Sequence, residues 1–430
     1  MTVAIPLILM LLLLVLGMPI AFALGISGSI GLLMNSGWDS FLGIMQTAPY
    51  DSVKSFIMTS IPMFILMASL MTVSGIMKEL FEAAYKWLGK LPGGLGIATV
   101  FAGAMMAAVS GSSQAAAAAM SKAAAPEMKK YKYNTSFTMG VVSMAGTLAV
   151  MIPPSIILIL YGILTETGVG SLLIAGIVPG ILTGLGYIIV IIIWVRLRPE
   201  IAPKIEINPT MKEKLIALKD VWPMLVIVIV VIGGIYSGLV TATEAGAMGA
   251  FITLLVVLFM GRLNMQKFGV ALNDTIKSTT MIMTIIIGAH IFSYFLTLTQ
   301  STQRIVGMVE GLDISKYWIL LIIVIIYLIL GFFMDQIAIL ILTLPLTFPI
   351  VISLGFNPVW FGIIITKTVE IGLVTPPVGM NVFVATGAAR VKTAEGFKGV
   401  TWFVIMDLLI LALLIGVPAL TLWLPELMIK

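Results

Sequence analysis

The sequence predicts an all-α polytopic membrane protein, with about ten transmembrane segments plus two re-entrant helical hairpins in two inverted repeats. Three observations predict it. Hydrophobic residues make up 60% of the chain and charged residues 10%, with a mean hydropathy of +1.16, whereas soluble domains carry about 25% charge. Apolar stretches near the ~20 residues that cross a bilayer recur along the chain. Four pairs of helix-breaking or helix-capping residues also recur at one spacing. Pro126 and Pro349, Asn134 and Asn357, Pro153 and Pro376, and Pro154 and Pro377 are each 223 positions apart.

Spans are expected at 3–16, 19–34, 55–75, 134–165, 172–197, 221–238, 243–261, 274–299, 357–389 and 400–426. No small-residue cleavage site follows the first, so it reads as a span and not as a secretory signal. Gly17-Met18-Pro19 must then be a turn. Segments 76–90 and 262–273 mix charges with Leu, Phe or Trp and read as amphipathic arms in the interface. Two further apolar stretches, near 94–130 and 316–352, are interrupted by SGSSQ and GFFMDQ and read as the hairpins. The expected organisation is a first repeat over 1–197, a cytoplasmic linker over 198–220 with a short surface helix, and a second repeat over 221–430.

Basic residues set the expected orientation, because cytoplasmic loops collect Lys and Arg. Nineteen of the 24 fall in five segments, 78–90, 122–132, 196–219, 262–277 and 390–398. Threading the spans puts all five on the cytoplasmic side and both termini outside. One hairpin then opens to each side, which is what makes the repeats inverted.

Chemistry concentrates where helices break. A proline inside a helix removes a backbone donor and frees a carbonyl, and in lipid such groups persist only where protein, water or an ion satisfies them. Matching breaks in two membrane halves are a sequence pointer to a transporter's binding site. In the first half Ser110, Gly111 and Ser112 interrupt a run of Ala, Met and Val. Their oxygens suit a small hard cation such as Na⁺, and the amides at the start of the next helix suit an anion. Small-residue helix packing is the alternative. Asp335, 223 positions after Ser112, is an intramembrane carboxylate and a functional candidate by default; capping the following helix is its other reading. The segments Gly146-Thr147 before Pro153-Pro154, and Gly372 and Thr375 before Pro376-Pro377, predict unwound stretches offering carbonyls and a hydroxyl, with plain proline kinks as the alternative. Beside these, Ser113, Gln114, Ser155, Gln336, Gly379 and Asn381 are the candidate substrate contacts.

Other polar residues have plainer readings. Lys367 and Glu370, one helical turn apart, neutralise each other, or Lys367 holds a substrate carboxylate. Glu244 reads as a first-turn acid behind Thr241 or Thr243. His290 reads as a core histidine or a proton relay. The chain lacks cysteine and has a single histidine, which excludes disulfides, thiol chemistry and multi-His metal sites. It lacks GxxxxGK[ST] and a GxSxG elbow, so no enzyme and no cofactor is expected. No basic surface interleaved with exposed aromatics points to nucleic acid.

With these motifs in place, the chain resembles the large membrane subunit of the tripartite ATP-independent periplasmic (TRAP) transporters. GMPIAFALG, LPGGL, SGSSQAAAAA, AAPEMKK, AGTLAVMIPPSIILILYG, AGIVPG, YSGLVTATEAGAMGAF, GFFMDQ and VTPPVGMNVF are similar to that family's blocks, in order. The resemblance implies Na⁺-driven uptake, across the bacterial inner membrane, of an organic anion such as a C4-dicarboxylate, sialic acid or sugar acid. It implies delivery by a periplasmic binding protein, a separate small four-helix membrane partner, and elevator-like motion in the bilayer. On the matching positions it implies cation binding at Ser110, Gly111, Ser112, Gly146, Thr147, Asp335, Gly372, Thr375 and Pro376. A proton-coupled organic-anion carrier titrating at Asp335, Glu370 or His290 is the alternative. A channel or a respiratory-complex subunit is a third class, less consistent with closed-ended hairpins.

Overall fold

The computed structural model describes residues 3–204, 209–311 and 314–428. Residues 1–2 and 429–430, on which the expected sidedness of the termini bears, and 205–208 of the expected linker lie outside the described residues. Among the described residues all regular structure is helical.

Helices α1 (Ala4–Val15) and α2 (Ile20–Asp51) pack on one another across the expected turn at Gly17-Met18-Pro19. Helix α2 runs well beyond the expected 19–34, with a kink at Gly37. Next come α3 (Ser60–Ser74) and the amphipathic α4 (Ile76–Leu88). The first hairpin is α5 (Gly94–Ser110) and α6 (Ser113–Lys130). The first broken helix is α7 (Thr135–Met151) and α8 (Ile156–Thr165), followed by α9 (Val169–Ala175) and α10 (Ile177–Leu197). The linker carries α11 (Met211–Asp220), opened by a Thr210–Glu213 capping box.

In the second half, α12 (Trp222–Tyr236) leads to α13 (Ala242–Phe259), opened by a Thr241–Glu244 capping box as its sequence suggests. Helix α14 (Met265–Leu298) absorbs the segment expected to be a separate interfacial arm, because no proline interrupts it; α15 (Ser301–Glu310) follows. The second hairpin is α16 (Lys316–Gly331) and α17 (Gln336–Ser353). The second broken helix is α18 (Pro358–Gly372) and α19 (Met380–Ala389), with α20 (Thr393–Gly416) and α21 (Ala419–Met428) closing the chain. Among the described residues, eight helical stretches, with α7 joined to α8 and α9 to α10, are long and apolar enough to cross a membrane, or nine if α11 and α12, bent by 51°, count as one span. The number differs from the expected ten partly because α18 and α19 are too short when taken singly, and α1 has only 12 residues.

The 223-residue spacing recurs in the elements. Helices α6 and α17 start and stop 223 positions apart, and each is N-capped by a matching residue, Ser112 or Asp335. Asn134 and Asn357 each accept two backbone N–H bonds, at 2.9 and 3.2 Å in both cases. Both proline pairs are joined by cis peptides.

Two packing groups result. One is α2, α3, α13 and α14, with α1 and α12 on its flanks. The other joins the hairpins, broken helices and α10 and α20. Within the second group the halves interlock. Helix α6 packs on α19, where the Ser121 hydroxyl donates to the Ala385 carbonyl at 2.7 Å, and α17 packs on α8. Each hairpin is therefore braced by the short helix that follows the other half's break.

All five basic segments meet at one end of the molecule. Glu79 of α4 pairs with Arg262, and the Trp87 indole donates to the Lys214 carbonyl at 3.1 Å. Arg198 and Lys398 line one surface cavity, while Lys122, Lys129 and Arg390 line another.

Candidate functional site: a cavity at the two hairpin tips

The SGSSQ sequence makes the first tip. Ser110 ends α5, Gly111 reverses the chain at φ +57°, and Ser112 caps α6 by accepting from the Ala115 amide at 3.4 Å. A side chain at Gly111 would be strained by that φ and would press on the Pro154 carbonyl and Ile156, so the tip sits directly on the first proline break. At the second tip Asp335 Oδ1 accepts from the amides of Ile337 at 2.9 Å and Ala338 at 3.1 Å, opening α17. An aspartate here is both the preferred capping type and favourably placed at the positive end of the helix.

Both tips line one cavity of about 630 Å³. Ser110, Gly111, Ser112 and Gln114 form one wall, and Asp335 and Gln336 form another. The facing wall comes from the other packing group: Ser69 and Thr72 of α3, and Asp274, Lys277 and Ser278 of α14. Lys277 ends one basic segment and Thr72 lies six residues before another, so this wall adjoins the segments that carry them. A second cavity of about 550 Å³ lies farther along α14, lined by His290, Ser293, Gln303, Glu310 and Pro349, and is reached by neither tip.

Several polar atoms around the tips are buried without a hydrogen-bond partner. These are the hydroxyls of Ser110 and Ser113, Oε1 of Gln336 and both side-chain ends of Asn381. An unmet buried polar atom costs about 1–3 kcal/mol, and five such atoms lie on or beside the two tips. Hydroxyl and amide oxygens are the donor set a hard monovalent cation takes, and they fit Na⁺.

The remaining sequence candidates stand back from the cavity lining. Gly146 packs against Ala117 on the back of α6, and Gly372 against Gly331 of α16. Thr147 joins a buried cluster around Tyr187, at 3.1 Å from its hydroxyl. The Ser155 hydroxyl donates to the Val150 carbonyl at 2.5 Å and accepts from the Leu158 amide, capping α8. The Thr375 hydroxyl donates to the Ile371 carbonyl at 2.6 Å, Pro376 is exposed, and Gly379 begins α19 against Phe397. Asn381 neighbours Met380, which does line the cavity.

The sequence reading missed the facing wall. Its signal was a polar stripe, Asp274, Lys277 and Ser278, at helical spacing beside an apolar run. It also assigned no role to Asp407. That residue lies fully buried on α20, with Oδ1 2.6 Å from the Lys367 ammonium.

A many-helix membrane protein whose two hairpins end on a shared, polar, partly unsatisfied cavity is a membrane transporter in class. The family model described as "Tripartite ATP-independent periplasmic transporter, DctM component" matches residues 7–420, and the chain belongs to that family. It is 37% identical over 406 residues, 94% of each chain, to the C4-dicarboxylate TRAP transporter large permease protein DctM of Pseudomonas aeruginosa. It is 28% identical to the sialic acid TRAP transporter large permease protein SiaM of Vibrio cholerae, covering 96% of this chain and 95% of that one. Its fold is similar to that of the Alcanivorax borkumensis YdaH transporter, with a TM-score of 0.58, 14% identity and 90% of each chain covered.

Proposed function

We propose that this protein is the large membrane subunit of a Na⁺-coupled importer of a small carboxylate anion, working with a periplasmic binding protein and a small membrane subunit. The observation that carries the proposal is the single cavity shared by both hairpin tips, with the unpartnered oxygens of Ser110, Ser113 and Gln336 around it. In this reading Na⁺ occupies the tip oxygens and fixes the backbone there. The anion then meets the ordered amides at the starts of α6 and α17, where the helix dipole favours negative charge. Bound Na⁺ thus stabilises the geometry that accepts the anion, which is the thermodynamic content of coupling.

The relatives named for C4-dicarboxylate and sialic acid transport share a carboxylate in their named solutes, and the first supports a dicarboxylate as the starting candidate. Lys277 is the cationic side chain in the lining, placed to face one carboxylate. In an elevator cycle the hairpin-bearing group moves past α2, α3, α13 and α14. Lys277 in the lining belongs to a basic segment, which supports reading this conformer as inward-facing, since Lys- and Arg-rich ends lie in the cytoplasm.

Uptake of labelled succinate into proteoliposomes holding this subunit, its small partner and the binding protein tests the reading. Accumulation should require both an inward Na⁺ gradient and the binding protein. Uptake driven equally by a proton gradient without Na⁺ would contradict it. Lys277→Met should raise the anion's half-saturating concentration several-fold and leave that of Na⁺ unchanged.

A further inference from the structure

Helices α10 and α20 run antiparallel and part from one another toward the basic end of the molecule. At Gly186, midway along α10, they touch: a Cβ there would come within 2.9 Å of both Met406 and Ile410. From Val190 to Arg198 on one side, and from Leu409 back to Lys398 on the other, they enclose a cavity of about 580 Å³. The space is a wedge, closed at Gly186 and reaching the basic segments. It shares no lining residue with the cavity at the hairpin tips.

Walls and mouth differ in chemistry. Ile193 and Leu197 of α10 face Trp402, Ile405 and Leu409 of α20 across the wedge, and each of these apolar side chains is exposed. Their three- and four-residue spacings place them in one ridge on each helix. Trp194 stiffens the floor, packed edge-on against Phe137 and Phe403 at 5.4 and 6.3 Å between ring centroids. The mouth carries Arg198 and Lys398, both exposed, and among the described residues no carboxylate lines the cavity. Glu395 pairs with Lys398 at 3.4 Å, but that ammonium is 70% exposed, so the pair contributes little and leaves the ammonium's other donors free.

The dimensions select the occupant. Leu409 follows Lys398 by 11 residues, about 16 Å of helix, which matches half of the ~30 Å hydrocarbon core. A helix from another subunit would run on through the whole core, and the contact at Gly186 stops the wedge halfway. Acyl chains end at the bilayer midplane and need no more. Trp402 stands one helical turn inside Lys398, at the depth where Trp gathers below headgroups.

We propose that this wedge is a binding site for one anionic phospholipid of the leaflet on the basic side. The headgroup phosphate sits between Arg198 and Lys398, and an acyl chain lies along Trp402, Ile405 and Leu409. Two cations at the mouth favour a lipid of net negative charge over a zwitterionic one, whose own ammonium they repel. The other basic cavity, lined by Lys122, Lys129 and Arg390, includes none of the exposed large apolar side chains and offers an acyl chain no bed. Because wedge and tip cavity are separate, lipid and solute do not compete.

Native mass spectrometry tests this on the purified full-length protein, delipidated in a neutral detergent and titrated with phosphatidylglycerol or phosphatidylcholine. The first phosphatidylglycerol should bind several-fold more tightly than the first phosphatidylcholine. Arg198→Gln combined with Lys398→Gln should weaken it by about tenfold, the order expected of two basic residues at a membrane surface. Lys122→Gln combined with Lys129→Gln should leave it unchanged, and so should added inorganic phosphate. Equal affinity for the two lipids, or an equal loss in both double variants, would overturn the site. Displacement by inorganic phosphate would reduce it to a plain anion site, and displacement by the small membrane subunit would make the wedge a protein contact; either overturns the proposal. All four substituted side chains are exposed. Should the first double variant still fail to fold, the comparison of the two lipids on the wild-type protein and the phosphate competition decide.

Discussion

Ser113 shows at residue scale how a binding site differs from a core. Its side chain is 0% exposed and its hydroxyl has no hydrogen-bond partner, so alanine there removes a penalty from the empty protein. Ser113→Ala should leave the thermal midpoint in Na⁺-free buffer unchanged or raised. The upward shift of that midpoint on adding Na⁺ should shrink, because a ligand stabilises by the free energy of its binding. An unchanged Na⁺-induced shift would remove Ser113 from the cation site. Three serines beside a glycine in an alanine-rich run, and an aspartate between Phe333 and Ile337, were legible because polar groups are conspicuous in apolar sequence. Asp407 was no less conspicuous. Its role was illegible because the Lys367 and Tyr187 it joins lie 40 and 220 residues away in chain order.

Among the elements, the second hairpin depends on the approach of α16 to α18. A Cβ on Gly372 would come within 2.5 Å of the Gly331 Cα, and one on Gly331 within 2.8 Å of the Gly372 Cα. Gly331→Ala should therefore push two backbones apart, at about 1–3 kcal/mol on the scale of overpacked sites, and lower the thermal midpoint. Gly387→Ala, with open space around it, is the control that should do neither. The breaks, caps and hairpins were legible because proline, glycine and Ser/Asp/Asn act locally. The lengths of α2 and α14 were not. The extra turns of a helix that continues past its apolar stretch are fixed by packing partners, here each other.

For the whole molecule, the proposal places the tip cavity on the cytoplasmic side and the His290 cavity on the other. The chain has no cysteine, so single thiols report cleanly. Ser278→Cys should react with a membrane-impermeant maleimide in inside-out vesicles, and Thr302→Cys, in the lining of the His290 cavity, in right-side-out vesicles. The reverse pattern would invert the assigned orientation. Sequence reached this level through the five basic segments alone; that those segments meet through contacts such as Glu79 with Arg262 and Trp87 with Lys214 only the fold shows.

The central claim is that the two tips make one site, and a double-mutant cycle on the Na⁺ dependence of uptake tests it most directly. Ser110→Ala and Gln336→Ala should each raise the half-saturating Na⁺ concentration several-fold. Made together they should fall short of the product of the single effects, because groups that share a ligand are energetically coupled. Effects that multiply independently, or variants that leave the Na⁺ dependence at its wild-type value, would contradict a shared site.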